Sequence, residues 1–393
     1  MTTTTTRPGP IHPLLRGGED YPFVKLDKRV KALTPPGVEP INFSIGDPRE
    51  RTPEFIRETL RAAVPEVSSY PAMAGQAALR AACAGWLKRR FGVGVDPETE
   101  LLPLNGTKEG VYLLAQALVG ADDARRTVVI PGPAYPVYEP GARFAGADVH
   151  AVQLRSEDGW RFDPARVPDE VWKKTALLWL NSPHNPTGAV TPIETLQRVA
   201  DLARQHGFWV ASDEAYAEVF FDVVPRSMLE CGTSNVLAFH TLSKRSAMTG
   251  YRSGFMAGDA RLIAALKRFR PNVGVATPDF VQAAAIAAWS DDAHSAGQRA
   301  LYAAKRDLMK TEFERRGWKI EASEATFYLW VKVPDGDDWA WGERLIKRGL
   351  VASPGSMFGP EGKGYIRWAL VPTLEKCREA LTRLDSSPDG TSA

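Results

Sequence analysis

Apolar residues recur along this chain at two spacings, and the spacing switches repeatedly between them. Phe55, Ile56, Leu60, Ala63 and Val64 return at the interval that aligns side chains on one helical face, with Thr52 as cap and Pro53 as first helical residue. Leu79, Cys83, Trp86 and Leu87 form a second stripe before Gly92, and Val111, Leu114, Ala115 and Leu118 a third before Gly120. Short apolar runs at 128–130, 176–180, 208–211, 236–239 and 254–257 predict strands. Several are apolar on both faces, as in a sheet covered by helices on each side. Leu196, Val199 and Leu202 predict an intervening helix that stops at Gly207, so strand, helix and strand follow one another. The expected fold class is α/β: a large domain with a mostly parallel sheet between helices, joined by a smaller α+β domain.

The texture changes after about residue 298, to a long charged helix at 299–316, a run at 325–333, a helix near 339–347 and a run at 365–371. The organisation this predicts is a disordered leader (1–20), a segment of the smaller domain (21–49), the large domain (50–290), the rest of the smaller domain (291–385) and a disordered tail (386–393). No internal repeat is visible.

With 393 residues, the chain has ample apolar material for two or three packed units. Lysine and arginine number 49 against 47 aspartate and glutamate, a balance that gives no electrostatic reason to expect nucleic acid or an anionic membrane. Small-molecule partners are expected instead. Cys83, Cys231 and Cys377 are scattered and form no CxxC pair, so neither a disulfide framework nor a metal site is expected. The threonine run at the start lacks the apolar core of a signal peptide, and no apolar stretch is long enough for a bilayer. The expected location is cytoplasmic.

In an open α/β sheet, ligands collect beyond the carboxyl ends of the strands. Here the run ending at Leu180 enters Asn181-Ser182-Pro183-His184-Asn185-Pro186-Thr187-Gly188. The run ending at Ala211 enters Ser212-Asp213-Glu214-Ala215-Tyr216, and the run ending at Phe239 leads to Ser243-Lys244. Upstream, Asn105-Gly106-Thr107-Lys108 opens a helix, and free amides at the positive end of a helix dipole make a phosphate seat. A phosphate seat, an amine, a carboxylate and a phenol at one sheet edge match the needs of pyridoxal 5'-phosphate. Its aldehyde condenses with a lysine, its ring nitrogen stays protonated beside a carboxylate, and its ring oxygen needs donors.

From about Tyr21 to Leu384 the chain resembles the class I aminotransferases, fold-type I pyridoxal-phosphate enzymes. The resemblance rests on Tyr70 with Gly75 and Leu79-Arg80, on Asn105 to Gly110, on Pro131-Gly132-Pro133-Ala134-Tyr135-Pro136 and on Asn185 to Gly188. It continues through Asp213 to Tyr216, Ser243-Lys244 with Gly250-Tyr251-Arg252-Ser253-Gly254, and Arg367, all in the family's order. It implies that Lys244 carries the cofactor as a Schiff base and then shuttles the substrate's proton. It also implies that Asp213 pairs with the ring nitrogen, that Asn185 and Tyr216 donate to the ring oxygen, and that Tyr135 stacks on the ring. Gly106, Thr107, Lys108, Ser243 and Arg252 would hold the phosphate, and Arg367 would fork onto the substrate carboxylate. Gly46, Asn185 and Tyr21 complete the substrate side. Tyr70 would reach the phosphate of a neighbouring subunit, which implies a homodimer with shared active sites.

Within the class, Tyr21-Pro22-Phe23, Ser243 to Ser246, Arg252 to Phe255, Ala325 to Trp330 and Pro354-Gly355-Ser356 are similar to N-succinyl-diaminopimelate aminotransferases of lysine biosynthesis. The chain departs from that group's pattern at Ala247 to Tyr251. The expected activity is therefore amino transfer between glutamate and N-succinyl-LL-diaminopimelate. The alternatives are aspartate, LL-diaminopimelate or aromatic amino acids as donors, a carbon–sulfur β-lyase on the same scaffold, or a non-catalytic sensor. Taken singly each residue has an ordinary reading: a solvated lysine, a capping aspartate, a turn glycine, a surface arginine. One ligand accounts for all of them together. His184 reads as a spacer or a substrate-side contact, Arg245 as structural or distal to the substrate, and the eleven tryptophans as packing.

Overall fold

The structure is a computed structural model and describes residues 9–16, 21–120 and 124–385. The expected tail and most of the expected leader lie outside the described residues. Residues 9–16 depart from the expected disorder, because Pro13–Leu15 form a 3-10 turn in which His12 Nδ1 accepts from the Leu14 amide at 3.2 Å. The His12 ring rests on Phe144, 5.0 Å between centroids.

Seven strands form the main sheet: β1 (Leu101–Leu104), β2 (Thr127–Gly132), β3 (Asp148–Gln153), β4 (Thr175–Asn181), β5 (Trp209–Asp213), β6 (Val236–Thr241) and β7 (Gly254–Gly258). Their order is β1-β7-β6-β5-β4-β2-β3. Only β7 runs against its neighbours; the remaining pairs are parallel. β4, β6 and β7 are buried along nearly their whole length, which requires cover on both faces. The helices Ala77–Phe91, Ile193–His206 and Asp279–Ser290 pack one face around Trp86 and Trp289. Thr107–Leu118, Tyr138–Phe144 and Ala260–Phe269 cover the other, around Leu104 and Trp179.

A second sheet, antiparallel, joins Ser353–Pro354, Tyr365–Ala369, Tyr328–Lys332 and Ile320–Glu321. It has its own apolar core, centred on Phe43, Phe313 and Trp368. The segment Ile41–Asn42 pairs with Leu350–Val351, and the Ala369 amide donates to the Phe43 carbonyl. Residues early in the chain are thereby stitched to its carboxyl-terminal part.

Several expectations shift in detail. Pro53 is the cap of Glu54–Ala63 and not its first residue, its ψ of 140° being extended. Gly92 and Gly207 end their helices in the left-handed conformation, as expected, but the helix Thr107–Leu118 ends on an extended Val119. The long helix spans Ala293–Arg315 and so begins ahead of its charged stretch. β1 and β3 were not foreseen: β1 contains a proline, and β3 is a largely exposed edge strand without the apolar run that marks its neighbours.

The close approach of β7 to β6 requires a glycine at its end. A Cβ on Gly258 would lie 1.9 Å from the Val236 carbonyl oxygen, which already accepts the Asp259 amide. Gly258→Ala should therefore destabilise the chain by about 2 kcal/mol or more, seen as a lowered thermal midpoint; an unchanged midpoint would contradict this packing.

Candidate active site

The sheet register sets the chemistry side by side. Asn181 at the end of β4 is opposite Asp213 at the end of β5, Asp213 is opposite Phe239 on β6, and Thr241 at the end of β6 is opposite Gly254. Each strand end therefore delivers its side chains to one edge. The Asn181 amide donates to the Asp213 carbonyl at 2.7 Å, and its oxygen accepts the Asn185 amide at 2.7 Å, which locks the loop between them. Gly188 closes that loop at φ +79°, where a Cβ would lie 2.6 Å from the Ala325 carbonyl oxygen.

Asp213 is buried, and burial pushes its carboxyl above the usual carboxylate range, opposed by hydrogen bonds from Tyr138 and the Ala215 amide and by the charge of Lys244. The Tyr138 hydroxyl donates to Asp213 Oδ2 at 2.7 Å, and its ring stacks on Trp179 at 4.7 Å. A carboxylate so placed is pre-oriented for a cation that approaches from the cavity.

Lys244 sits in the four-residue helix Leu242–Arg245, whose cap is the Thr241 hydroxyl. Its ammonium donates to the Gly46 carbonyl. Burial brings its pKa down to about 8; Arg367 and Arg252 add to the fall, while Asp47 and Asp213 oppose it. An amine near that value is readily available in its neutral, nucleophilic form.

Gly106 has φ +77°, and a Cβ there would lie 2.2 Å from Arg252 Nη2, so glycine lets the guanidinium rest on the backbone. The helix Thr107–Leu118 starts at this point with no side-chain cap on its first turn, and Thr107 and Lys108 line the cavity together with Ser243 and Arg252. Arg252 itself is left-handed, at φ +55°, and is tied back to the Thr249 carbonyl at 2.9 Å. Together these groups form a cationic, amide-lined cradle suited to a phosphate.

Opposite the cradle lies Arg367, 2% exposed. It donates to Asn185 Oδ1 at 2.8 Å and to the Ser44 carbonyl, and it is held between the rings of Tyr328 (4.2 Å) and Phe358 (4.3 Å). No carboxylate among the described residues pairs with it, and its Nε has no partner. A buried guanidinium answered only by neutral oxygens is a receptor for an incoming anion. The Tyr216 and Tyr328 hydroxyls meet at 2.7 Å.

Tyr21, Gly46, Thr107, Lys108, Tyr135, Asn185, Asp213, Tyr216, Ser243, Lys244, Arg252 and Arg367 all line one cavity of about 380 Å³, and Gly106 lies beneath it. Tyr70 is the exception: its side chain is 99% exposed and takes no part in the cavity of its own chain. Asn181, Tyr138 and Tyr328 were missed by the sequence reading. Tyr138 carries no motif of its own, Tyr328 lies within the Ala325 to Trp330 stretch without being singled out, and Asn181 was passed over in favour of Asn185. His184 is buried against Thr187 and burial lowers it to about 4, so it supports its loop and does not face the cavity. Arg245 is also structural, donating to the carbonyls of Ala288 and Asp291 and to Asp292. Among the described residues there is no cluster able to hold a metal ion and no helix long and apolar enough to cross a membrane.

The family model for aminotransferase class I and II matches residues 38–384. The chain belongs to this family. LL-diaminopimelate aminotransferase of Dehalococcoides mccartyi is 37% identical over 372 residues, covering 93% of this chain and 95% of the relative. A solved aminotransferase from Neisseria meningitidis superposes with a TM-score of 0.88 at 35% identity, over 94% of this chain and 98% of the other. A Thermus thermophilus structure, described as a probable N-succinyldiaminopimelate aminotransferase, gives 0.85 at 31% identity, over 94% and 100%. The chain is thus an aminotransferase of fold type I.

The aminotransferase fold holds Lys244 at a cost. With the folded pKa near 8 against an ordinary 10.5, the unfolded chain binds the proton more strongly. The penalty is therefore complete below pH 8 and disappears as pH rises toward 10.5. Cofactor-free Lys244→Met should be more stable than the parent by about 1–3 kcal/mol at pH 7, with the gap narrowing toward pH 10; chemical denaturation across that range checks it, and a variant less stable at pH 7 would contradict it.

Proposed function

We propose that this aminotransferase binds pyridoxal 5'-phosphate covalently through Lys244 and moves amino groups between amino acids and 2-oxo acids. The observation that carries the reading is the shared cavity of Lys244, Asp213 and Arg367, none paired with an opposite charge within ion-pair distance among the described residues. The donor set fits the cofactor: the glycine-bounded cradle suits its phosphate, and the buried Asp213 carboxylate suits a cationic ring nitrogen. When bound, the cofactor supplies a carbonyl carbon for the amine and a ring that accepts the electron pair left at the substrate α-carbon.

The remaining work belongs to the chain. Asp213 keeps the ring nitrogen protonated, and Tyr138 keeps Asp213 aimed at it. Tyr216 and Asn185 donate to the ring oxygen, and Tyr135 bounds the ring. Arg367 grips the α-carboxylate and so orients the Cα–H bond toward Lys244, which carries the proton between the two carbon positions. The backbone at Gly46, with Tyr21 at the mouth, closes over the substrate and excludes water.

For the substrate we infer a dicarboxylic amino acid of the diaminopimelate type, with 2-oxoglutarate as acceptor. Lys108 supports this, because its ammonium stands at the cavity mouth 5.9 Å over the Tyr21 ring, where a distal carboxylate would end. Relatives near 37% identity are named for LL-diaminopimelate, and we therefore place that compound ahead of its N-succinyl derivative, which the Thermus thermophilus neighbour favours. We also propose a homodimer, in which Tyr70, exposed with Val67 and Val64 on the same stretch, completes the phosphate site of the partner.

Assay of cofactor-loaded protein with a panel of amino donors and 2-oxoglutarate tests this. LL-diaminopimelate should give glutamate with a kcat/KM roughly tenfold above N-succinyl-LL-diaminopimelate, and Lys108→Gln should raise the KM for 2-oxoglutarate by about five- to tenfold. Glutamate formed only from aspartate or aromatic donors would remove the substrate assignment, and pyruvate with ammonia released without any 2-oxo acid would make the chain a β-lyase.

A further inference from the structure

Tyr328 begins a strand of the smaller sheet, opposite Ala369, and its ring reaches across to the cavity. Its hydroxyl meets that of Tyr216 at 2.7 Å, and the two side chains are 2% and 6% exposed. The contact is rigidly framed. The Tyr328 amide donates to Thr326 Oγ1 at 3.1 Å, the Thr326 amide to the Val219 carbonyl at 2.6 Å, and the Ala325 amide to the Gly188 carbonyl at 3.0 Å. Phe327 packs edge-on against both phenols. Residues 325–328 are thus fastened to the turn that carries Tyr216 and to the loop that carries Asn185.

A phenol has one proton to give and can accept two. Among the described residues, the only hydrogen-bond partner of either hydroxyl is the other one. On its remaining side Tyr328 is blocked by the covering segment: a Cβ on Gly46 would lie 2.1 Å from its oxygen. Among the described residues, the one acceptor in reach of its proton is Tyr216. If Tyr216 accepts that proton, its own is left free to point into the cavity.

We infer that Tyr328 is a positioning residue: its hydroxyl donates to Tyr216, fixing Tyr216 as the donor to the oxygen of the cofactor ring. This rests on the proposed binding of pyridoxal phosphate. Burial holds the Tyr216 phenol well above its ordinary pKa, so it remains a proton donor through the working range. Two donors in series polarise each other, and the outer bond strengthens the inner one. The ring oxygen anion is then stabilised without the proton on the nitrogen that links Lys244 to the cofactor, so that nitrogen loses its proton at lower pH. The Tyr328 ring has a separate task, supporting Arg367 at 4.2 Å, and a phenylalanine would preserve it.

The test is the pH-dependent change in colour of the bound cofactor, followed by absorbance in the parent, Tyr328→Phe, Tyr216→Phe and the double variant, together with the KM for 2-oxoglutarate. Tyr328→Phe should move the transition alkaline by roughly half a pH unit and leave KM within about twofold, because the ring under Arg367 remains. Tyr216→Phe should move it further, and the double variant should match Tyr216→Phe alone, since the chain of donors passes through Tyr216. An unshifted transition in Tyr328→Phe, shifts that add in the double variant, or a raised KM without a shift would each overturn the inference while leaving the cofactor assignment intact. Parent protein that takes up no cofactor would overturn both.

Discussion

Buried charge with no counter-charge at ion-pair distance among the described residues governs this structure. Lys244, Asp213 and Arg367 line one cavity, and each is answered by neutral groups: a carbonyl for the lysine, a phenol and an amide for the aspartate, an amide oxygen and a carbonyl for the arginine. Burial pushes all three away from their ordinary pKa values, in the direction that disfavours charge. Removing ions from water without pairing them is strongly unfavourable. Ligands that bring a cationic ring, a carbonyl and a carboxylate would answer the three in turn. The fold retains these groups at the expense of its own stability.

The scaffold makes that arrangement possible through register. Parallel strands β4, β5 and β6 end level, so residues far apart in sequence arrive at one edge within hydrogen-bond reach. The antiparallel β7 starts at the same edge, and Arg252 sits just ahead of it, beside the glycine that starts the helix Thr107–Leu118. The small sheet brings Arg367 and Tyr328, and the segment through Gly46 lies between the two units. Substrate and cofactor would therefore touch elements of both sheets at once, which ties occupancy of the cavity to the way the sheets meet.

Much of this was legible in the sequence, for identifiable reasons. Strands buried on both faces are short continuous apolar runs, and those runs end just before the residues that do chemistry. Lys244, Asp213 and Asn185 could be placed at one sheet edge by that rule alone, and Gly106 marked the seat of an anion because it precedes a helix. The edge strand β3 escaped because solvent on one side dilutes its pattern, and β1 because a proline interrupts it. Tyr138 and Tyr328 escaped for another reason. Their roles depend on hydroxyl contacts spanning 75 and 112 positions of chain, which no local pattern announces.

The central claim is that the amine of Lys244 carries the cofactor aldehyde. Borohydride reduction of cofactor-loaded protein, followed by digestion and peptide mass mapping, tests it without reliance on any substrate. One pyridoxyl phosphate adduct per chain is expected, located on the peptide that contains Lys244. An adduct spread over surface lysines, or none on that peptide, would contradict it.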